Sequence, residues 1–574
     1  MIYIKMCNNL SDKVILSIKI ITAVKWSDCM KTWYMIPVRG GSKDVLRKNA
    51  RNLGGKPLLA YVLETILKVE NKKQVVVVTD DAELSEIARG YEVNIVMEEK
   101  TTGKATLDNV AYNTLSELYK LGAKGDDYFF TVQATCPFLK TETIIKAKKL
   151  IKNNGSILTA VDDRFLSWKM NSKGELIPAY KKRVNRQELP ANYIESGAII
   201  GARVKDIQKH KTRIIKPVAV ISVDKVEGMD IDDYIDWYAA EYIVKRKRIL
   251  IKADSSLKIG MGHLYRSSAI AYELSEHETY IVSNIYGNKK LSSSFFKDMP
   301  HNFIGVKSDS EFVKLSQRMK PDIIILDQLD TRYDYVKRLK STGAVVITLE
   351  DMGPGAKIAD LLISDLYKNP EVEDAKQLTG VQNAFLHPSF TWVNPDKKIN
   401  KSVDNILLLF GGTDPSNLTI KALNALKAIK YKGFVRAVQG LGRKNRKIDL
   451  NEYGLKGEVL TNVKYMPKIM KEADIALSSA GRTITELMTL GTPVLCMCQN
   501  KKETTHTHAK KECGVINLGL GADISDKKLS EEINKLIQNY ELRKKLHFYA
   551  KTTVKGRTNR EIVRKISNII KVEL

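Results

Sequence analysis

Short apolar runs rich in β-branched residues alternate with longer amphipathic stretches along most of the chain. Four runs in the first half have the length and composition of buried strands: 33–38, 74–79, 128–133 and 156–161. They are separated by stretches with helical periodicity, at 58–68, 84–91 and 109–121. Strands that alternate with helices join one sheet through crossover connections. The pattern therefore predicts an α/β fold with largely parallel sheets.

The alternation restarts twice, and the restarts divide the chain into lobes. A basic run at 245–248 is followed at once by a new strand at 249–253, and a segment with Pro and several Lys at 391–402 precedes another strand at 406–410. A chain of 574 residues also exceeds what one hydrophobic core supports. We therefore expect four segments: a leader of uncertain role at 1–29, a domain at 30–245, and a two-lobed unit at 246–395 and 396–574.

The first 29 residues carry no recognisable motif, and Met30 directly precedes the first strand, so we expect no catalytic role for this segment. Its apolar run at 10–24 is interrupted by Lys13 and Lys19 and is too short and too charged to span a bilayer. The six cysteines form no C-x-x-C pair, which argues against a zinc site and a disulfide scaffold. These features predict a cytoplasmic protein with no membrane partner.

Composition and charge narrow the function classes. Hydrophobic residues make up 43% of the chain, which is enough for folded cores and excludes a mostly disordered protein. The formal net charge of +27 favours polyanionic partners such as nucleic acid, an anionic membrane or phosphorylated small molecules. Nucleic-acid binding is the weaker alternative, because the sequence has no zinc finger, RNP-type aromatic motif or clear helix-turn-helix and spreads its basic residues through helices.

The first predicted strand ends in the string RGGSK at 39–43, and Lys48 and Asn49 follow shortly after. Adjacent glycines let backbone N–H groups approach a phosphate closely, and the basic side chains supply charge to a triphosphate. The string is not a P-loop, since no G-x-x-x-x-G-K-[ST] occurs. In isolation such a string is more often a basic turn, so its assignment depends on neighbouring motifs.

Further polar residues stand at strand ends. Asp80 and Asp81 close the second strand and Gln133 ends the third, where side chains face a ligand at the edge of a parallel sheet. Asp230 and Asp232 alternate in an extended segment, so their carboxylates point to one face and suit chelation of Mg²⁺ beside a triphosphate. A D-x-D string alone is more often a solvated turn.

Together these motifs resemble the CMP-sialic acid synthetase family of cytidylyltransferases over about residues 30–245. The P-x-R-G-G-S-K…K-N loop, the T-D-D strand end, the Q-x-T-x-P loop, the string ESGA at 195–198 and D-I-D at 230–232 appear in the family's order. The resemblance implies a Rossmann-like, glycosyltransferase-A-like nucleotidyltransferase domain that transfers CMP from CTP onto a nonulosonic acid, and it makes a homodimer possible.

The resemblance also assigns roles to individual residues. CTP binding falls to Arg39, Ser42, Lys43, Lys48, Asn49 and Gln133. Mg²⁺ falls to Asp230 and Asp232. The sugar carboxylate falls to Arg186, whose guanidinium fork suits a carboxylate.

The strand at 249–253 leads into the string DSSLKIGMGHLYR at 254–266. Gly260 and Gly262 have the first two spacings of a dinucleotide-binding fingerprint, but the third glycine is missing, so NAD binding is not expected. His263 lies between a glycine and a predicted helix start at the ligand-binding edge of the sheet, and imidazole is a common general base. A lone histidine is more often structural, so this assignment also needs its context.

Two later motifs supply that context. The string LLFGGTDP at 408–415 is another glycine-rich strand end, and SSAGRTITE at 478–486 leads into a helix. Small residues at a helix N-terminus bind a diphosphate through free N–H groups. Glu486 lies one turn into that helix, where its carboxylate can accept both ribose hydroxyls; the alternative is a charge that complements the helix dipole.

These motifs resemble the UDP-sugar hydrolase of the pseudaminic acid pathway and its spore-coat polysaccharide relatives over about residues 247–574. The S-x-x-G-x-T-x-x-E…G-x-P pattern is shared more widely with two-lobed glycosyltransferases. The resemblance implies a glycosyltransferase-B-like unit that clamps UDP between its lobes, with His263 activating water to attack C1 of the sugar with inversion. It assigns UDP binding to Gly262, Arg266, Gly412, Ser479, Gly481, Thr483 and Glu486.

Other residues of this half have open roles. Arg482 stands where the family often has glycine, and it either contacts the diphosphate or crowds it. Asp254, Asp327 and Asp351 lie at strand ends as cleft residues without a clear role.

Taken together, the two resemblances predict a bifunctional enzyme of nonulosonic acid biosynthesis. It would activate a nonulosonic acid with CTP and hydrolyse a UDP-2,4-diacetamido-2,4,6-trideoxyhexose, a UDP-amino sugar, to free sugar and UDP. The alternatives are a C-terminal half that transfers a sugar to an acceptor, a basic nucleic-acid-binding protein, and a scaffold with inactive sites, which the intact motifs argue against.

Overall fold

The computed structural model describes residues 30–42, 44–98, 105–254, 262–284, 302–393, 397–412, 414–440, 448–461, 463 and 465–574. The chain divides into two compact units, of which the first ends at Lys245 and the second comprises Arg246–Leu574. The expected leader and Lys43 lie outside the described residues, as do 255–261, which include Gly260.

The first unit is a layered α/β structure. Its strands are β1 (Thr32–Val38), β2 (Asn52–Leu53), β3 (Lys56–Pro57), β4 (Val75–Thr79), β5 (Asn94–Met97), β6 (Tyr128–Thr131), β7 (Ser156–Asp162), β8 (Trp168–Met170), β9 (Leu176–Pro178), β10 (Tyr193–Arg203) and β11 (Val218–Val223). Its helices are α1 (Leu58–Leu67), α2 (Ala82–Gly90), α3 (Leu107–Lys120), α4 (Thr141–Leu150), α5 (Val204–His210) and α6 (Tyr234–Lys245).

Seven of these strands form one sheet in the order β11-β7-β10-β6-β1-β4-β5. Strand β1 pairs in parallel with β4 and β6, while β10 runs antiparallel to β6 and β7. All five residues of β4 are buried, because helices cover both faces of the sheet; this is why its sequence reads VVVVT without polar alternation. The buried carboxylate of Asp127 joins the start of β1 to the start of β6 by accepting from Lys31 N at 2.9 Å and from Trp33 Nε1 at 3.1 Å.

The N-terminal lobe of the second unit is a wholly parallel sheet. Its strands are β12 (Arg248–Ala253), β13 (Glu278–Asn284), β14 (Asn302–Val306), β15 (Ile323–Asp327), β16 (Val345–Leu349), β17 (Leu361–Ser364) and β18 (Gln377–Thr379), in the order β14-β13-β12-β15-β16-β17-β18. Its helices are α7 (Gly262–Glu273), α8 (Asp309–Met319), α9 (Tyr333–Lys340) and α10 (Ser389–Trp392).

The C-terminal lobe repeats the design around six parallel strands. They are β19 (Asn405–Leu409), β20 (Phe434–Gln439), β21 (Lys456–Thr461), β22 (Ile475–Ser478), β23 (Val494–Cys498) and β24 (Val515–Leu520), in the order β21-β20-β19-β22-β23-β24. Its helices are α11 (Leu418–Ala428), α12 (Met466–Glu472), α13 (Thr483–Leu490), α14 (Asp526–Gln538), α15 (Tyr540–Thr553) and α16 (Asn559–Ile570). Two parallel sheets in one unit confirm the predicted two-lobed, glycosyltransferase-B-like architecture.

The last helix, α16, does not pack within its own lobe. Ile562, Val563 and Ile566 lie in the same buried cluster as residues of β12, on the N-terminal lobe. The side chain of Asn559 accepts from Leu386 N and donates to Leu386 O, at 3.2 and 2.8 Å. The segment expected as a C-terminal lobe at 396–574 therefore ends in a helix that completes the core of the other lobe.

In the described part of the chain, no helix combines the length and the apolar composition that crossing a membrane requires.

Candidate active sites

In the first unit, the loop after β1 is pressed against the end of β4. Gly40 N donates to Asp80 Oδ1 at 3.0 Å. A Cβ atom at Gly40 would lie 2.2 Å from Asp81 Oδ2, so this close approach requires glycine. The two strand ends that the sequence marked separately thus form one surface, on which Arg39 is exposed and Ser42 half-buried.

Asn49 fixes the start of this loop through its side chain. Its side-chain amide donates to Arg39 O at 3.2 Å, and its backbone carbonyl accepts from Leu59 N at 3.1 Å. Asn49 Oδ1 is buried and has no hydrogen-bond partner among the residues that the structure describes. The oxygen is available to a donor that the protein itself does not supply.

The predicted metal carboxylates lie beside the same loop. Lys48 Nζ donates to Ile231 O and lies 3.6 Å from Asp232 Oδ1. Ile231 N in turn donates to Thr135 O at 2.9 Å, which fixes the segment at 229–233 against the loop that follows β6. Lys48, Asp230 and Asp232 are therefore brought together, and the roles that the resemblance gives them stay predictions.

Asp230 has the properties of a cation ligand. Its Oδ1 is buried without a hydrogen-bond partner in the described part of the chain. Burial raises the pKa of this carboxyl, and the nearby charge of Asp232 acts in the same direction. A bound cation would offset both costs. Within the described residues no group of three or more His, Cys, Asp or Glu side chains could hold a metal, so a Mg²⁺ ion here would need phosphate or water oxygens to complete its shell.

The side chain of Gln133 packs against the segment ESGA at 195–198. Strand β10 has an irregular register between Glu195 and Ile200, and Gly197 there has φ +72°. A Cβ atom at Gly197 would lie 2.3 Å from Gln133 Oε1, so the glycine leaves room for the Gln133 side chain. The buried hydroxyl of Ser196 donates to Thr159 Oγ1 at 2.9 Å and anchors the irregular segment.

Arg186 lies elsewhere on the first unit's surface. Its guanidinium is 3.3 Å from Asp163 Oδ1, and Cζ lies 4.6 Å from the centroid of the Phe165 ring. The side chain is exposed. None of these contacts joins Arg186 to the loop at 39–49, so its predicted role toward a sugar carboxylate stays a prediction.

In the second unit, His263 stands at the start of α7 with its Nδ1 2.5 Å from Asp327 Oδ1. Asp327 ends β15 and is buried, and it also accepts from Arg266 Nε at 2.8 Å and from Ser267 Oγ at 3.1 Å. Burial acts to raise the pKa of Asp327, but Arg266 and His263 overcome it and lower the value to about 2. An ionised Asp327 accepts a hydrogen bond from the Nδ1–H group, and in that tautomer Nε2 of His263 keeps its lone pair and can act as a base.

The role of Asp327 was missed at the level of sequence, where the residue was a strand end without function. The available signal was its position: Ala253 and Asp327 are register partners in neighbouring parallel strands, so Asp327 ends beside the strand that leads to His263. Side chains after neighbouring parallel strands converge at one edge of the sheet.

Arg266 requires a correction. It was predicted to bind UDP, but its side chain is 4% exposed and its donors point inward, to Asp327, Glu350 and Asp365. A guanidinium buried among carboxylates cannot also meet a diphosphate. The geometry makes Arg266 a positioning residue for Asp327.

The loop before α13 is held from one side by the segment at 503–508. Glu503 Oε2 accepts from Ala480 N at 3.2 Å, and His506 Nδ1 lies 2.7 Å from Ala480 O. The buried His508 places Nε2 3.2 Å from Gly481 O. Burial lowers the pKa of both histidines, so they are neutral near pH 7 and donate one N–H each.

Three of the other predicted UDP residues belong to this loop and the start of α13, while Gly412 and Gly262 lie in other segments. Ser479 is buried, while Gly481 and Thr483 are half-buried. Gly412 is exposed. A Cβ atom at Gly440 would lie 2.2 Å from the carbonyl oxygen of Gly412, so the turns that contain these two glycines can contact each other only because Gly440 has no side chain. Gly262, at the start of α7, has open space around it.

Glu486 lies one turn into α13, half-buried, and burial raises the pKa of its carboxyl to about 7. Its backbone N–H donates to Arg482 O at 3.4 Å, while its carboxyl group makes no hydrogen bond or ion pair with the residues that the structure describes. Its charge raises the pKa of Tyr265, two residues after His263 on α7, although burial is the larger cause. Glu486 therefore lies on the side of its lobe that faces the start of α7.

The remaining strand-end aspartates hold the fold. Asp351 Oδ1 accepts from Thr331 N and from Gly353 N, both at 2.9 Å. Asp254 accepts from Asn284 N at 2.9 Å and pairs with the fully buried Lys252. Their hydrogen bonds are made within the protein.

Comparison with known proteins finds one family match in each of the two units. Residues 34–198 match the family model for cytidylyltransferases, and residues 406–566 match the model for the glycosyltransferase family 28 C-terminal domain. The first unit is therefore similar to cytidylyltransferases, and the C-terminal lobe of the second is similar to the glycosyltransferase family 28 C-terminal domain. Both predicted resemblances and the predicted fold class are confirmed at this level.

Three curated relatives are similar to parts of the chain. The CMP-N,N'-diacetyllegionaminic acid synthase of Legionella pneumophila is 29% identical over 38% of this chain and 97% of its own length. The spore coat polysaccharide biosynthesis protein SpsG of Bacillus subtilis is 26% identical over 54% of this chain and 94% of its own length. An uncharacterized protein of Methanocaldococcus jannaschii is 29% identical over 44% of this chain, and the match covers 56% of that protein's length.

Proposed function

We propose that the first unit is a cytidylyltransferase that activates a nonulosonic acid with CTP. The observation that carries the proposal is the meeting of the loop at 39–42, Lys48 and the Asp230–Asp232 pair at one edge of the sheet. Lys48 and Arg39 would hold the triphosphate. The anomeric hydroxyl of the sugar acid would attack the α-phosphorus, its oxygen forming the new P–O bond while the bond to pyrophosphate breaks. The relative from Legionella pneumophila, by its name a synthase of this type, supports the substrate class.

Asp230 and Asp232 would hold Mg²⁺ in this site. A divalent cation supplies charge neutralisation for the leaving pyrophosphate. The unpartnered, buried Oδ1 of Asp230 is the feature of this chain that fits such an ion. Lys48, 3.6 Å from Asp232, would hold that carboxylate toward the phosphates.

For the second unit, we propose hydrolysis of a UDP-2,4-diacetamido-2,4,6-trideoxyhexose. His263 Nε2 would take a proton from water, whose oxygen attacks C1 of the sugar. The C1–O bond to UDP breaks, UDP leaves with the electron pair, and the configuration at C1 inverts. Asp327 holds Nδ1 and stabilises the imidazolium that forms. The N–H groups at 481–483 would bind the diphosphate, and Glu486 would accept the ribose hydroxyls.

A second candidate for this unit is transfer of the sugar to an acceptor hydroxyl. The match to a glycosyltransferase family 28 C-terminal domain favours it. The same base would then deprotonate the acceptor instead of water. Release of UDP in the absence of any acceptor separates the two candidates.

Replacing Asp230 by Asn should lower the release of pyrophosphate from CTP and a nonulosonic acid by roughly 100-fold or more, since a ligand of the cation is lost. The Mg²⁺ concentration for half-maximal rate should rise. Asp126→Asn is the matched control, because Asp126 is an exposed carboxylate of the same unit that pairs with Lys205. A variant at Asp230 with wild-type rate at limiting Mg²⁺ would remove this carboxylate from the site.

UDP should bind more tightly as the pH rises through 7, because burial raises the pKa of Glu486 to about 7 and the ionised form is the better acceptor for ribose hydroxyls. If only the ionised form binds well, the dissociation constant at pH 6 is roughly tenfold that at pH 8. Glu486→Gln is the control, since UDP itself titrates in this range. The variant should keep the pH dependence of UDP binding that comes from UDP and lose the part that comes from Glu486. Identical pH profiles for the two proteins would exclude Glu486 from the ribose site.

His263→Gln should lower the kcat of UDP-sugar hydrolysis by roughly 10²–10⁴ with little change in UDP affinity, because the base does not contact the nucleotide. Hydrolysis in ¹⁸O-labelled water should place the label on C1 of the sugar. The label is read by mass spectrometry of both products. Label in the released UDP would mean attack at phosphorus and would refute the role given to His263.

A further inference from the structure

Glu350 lies where the two lobes of the second unit meet. It follows β16 directly, is buried, and has φ +53°, a backbone conformation that few residues other than glycine adopt. Its Oε1 accepts from Asp365 N at 3.0 Å, and its Oε2 accepts from Ser364 Oγ at 2.6 Å. These two hydrogen bonds fix the carboxyl group in one orientation.

Two arginines from different lobes bind the same oxygen of this carboxyl. Arg266 Nη1, on α7 of the N-terminal lobe, lies 3.3 Å from Glu350 Oε1. Arg482 Nη2, at the end of the loop before α13 in the C-terminal lobe, lies 3.2 Å from it. Arg482 also places Nε 3.5 Å from Asp365 Oδ1. Glu350 is thus a shared acceptor between the lobes.

The guanidinium of Arg266 is in turn shared with Asp327, which orients His263. A continuous series of contacts therefore runs from Arg482, through Glu350 and Arg266, to Asp327 and the imidazole. From this series we infer that Glu350 and Arg482 are positioning residues that tie the loop at 479–482 to the His263–Asp327 pair.

The inference rests on the proposed function for the roles of that loop and of His263. It adds that the nucleotide loop and the base are aligned through protein contacts. It also gives the side chain of Arg482 a direction: toward the carboxylates of the N-terminal lobe, and not toward a diphosphate.

The charges of the cluster agree with this arrangement. Burial, together with the neighbouring charge of Asp365, raises the pKa of Glu350 well above its usual range. The guanidinium groups of Arg266 and Arg482 lie against the buried carboxyl groups of Asp327, Glu350 and Asp365. Loss of Arg482 would remove one of the two guanidinium groups that compensate these buried carboxyl groups, which buried sites tolerate poorly. Arg266 would then be drawn toward Asp365 and away from Asp327.

The test uses the full chain and the variant Arg482→Gln. We expect kcat for UDP-sugar hydrolysis to fall by roughly 10²-fold, the usual cost of a misplaced catalytic group, while the dissociation constant of UDP changes by less than about threefold. Arg482→Lys should recover part of kcat, since it keeps the charge without the planar fork. Arg436→Gln is the matched control, because Arg436 pairs with Glu458 and Glu472 in the same lobe and should change neither quantity.

A second readout needs no turnover. In the chain labelled with ¹⁵N-histidine, Arg482→Gln should shift the Nδ1–H signal of His263, which His263→Gln identifies by its loss, although Arg482 does not touch this ring. Absence of hydrolysis in the wild type, with the shift present, would count against the proposed function alone. A tenfold or greater loss of UDP affinity with an unmoved His263 signal would make Arg482 a diphosphate ligand and overturn the inference.

Discussion

The buried charge of Asp327 is the constraint on which the second unit's chemistry depends. A carboxylate at the end of a covered strand is stable only if its charge is compensated, and the structure supplies the guanidinium of Arg266 and hydrogen bonds from His263 and Ser267. Arg266 then needs further acceptors, which brings in Glu350 and Asp365 from the following strands. The position of His263, and so its fitness as a base, follows from this balance. The site is accordingly a property of three strand ends and one helix start.

Both units use the same principle of construction. Parallel strands deliver their carboxyl ends to one edge, where loops can leave backbone N–H groups and side chains facing a ligand. In the first unit this edge gathers the turn at Gly40, the end of β4 and the segment around Asp230. In the second, it gathers His263 and Asp327 in one lobe and the loop before α13 in the other. The two units differ in what the edge is equipped to do: one collects groups suited to a triphosphate and a cation, the other a base and a helix N-terminus.

The sequence predicted the features that depend on local pattern. Strand and helix positions and the glycine-rich strand ends follow from spacing and periodicity, whereas the roles of Lys48 and Asp232 in one site are what the family resemblance implies. The sequence did not predict the burial of Arg266, the partner of His263 or the packing of α16 on the other lobe. These features depend on which distant strand ends become neighbours in the fold. From the sequence alone, a charged residue that faces a ligand cannot be distinguished from one that faces a buried carboxylate. The segment at 503–508 fixes the loop before α13 but carries no recognisable sequence motif. It could not be predicted because its role also depends on which distant segments become neighbours.

We infer that each unit carries its own nucleotide site. Calorimetric titration of the full chain with CTP and Mg²⁺, and then with UDP, tests it most directly. We predict one CTP and one UDP per chain, bound without competition, and loss of CTP binding alone in Gly40→Ala, because the new Cβ would lie 2.2 Å from Asp81 Oδ2. Competition of the two nucleotides for a single site, or loss of both in this variant, would contradict the account.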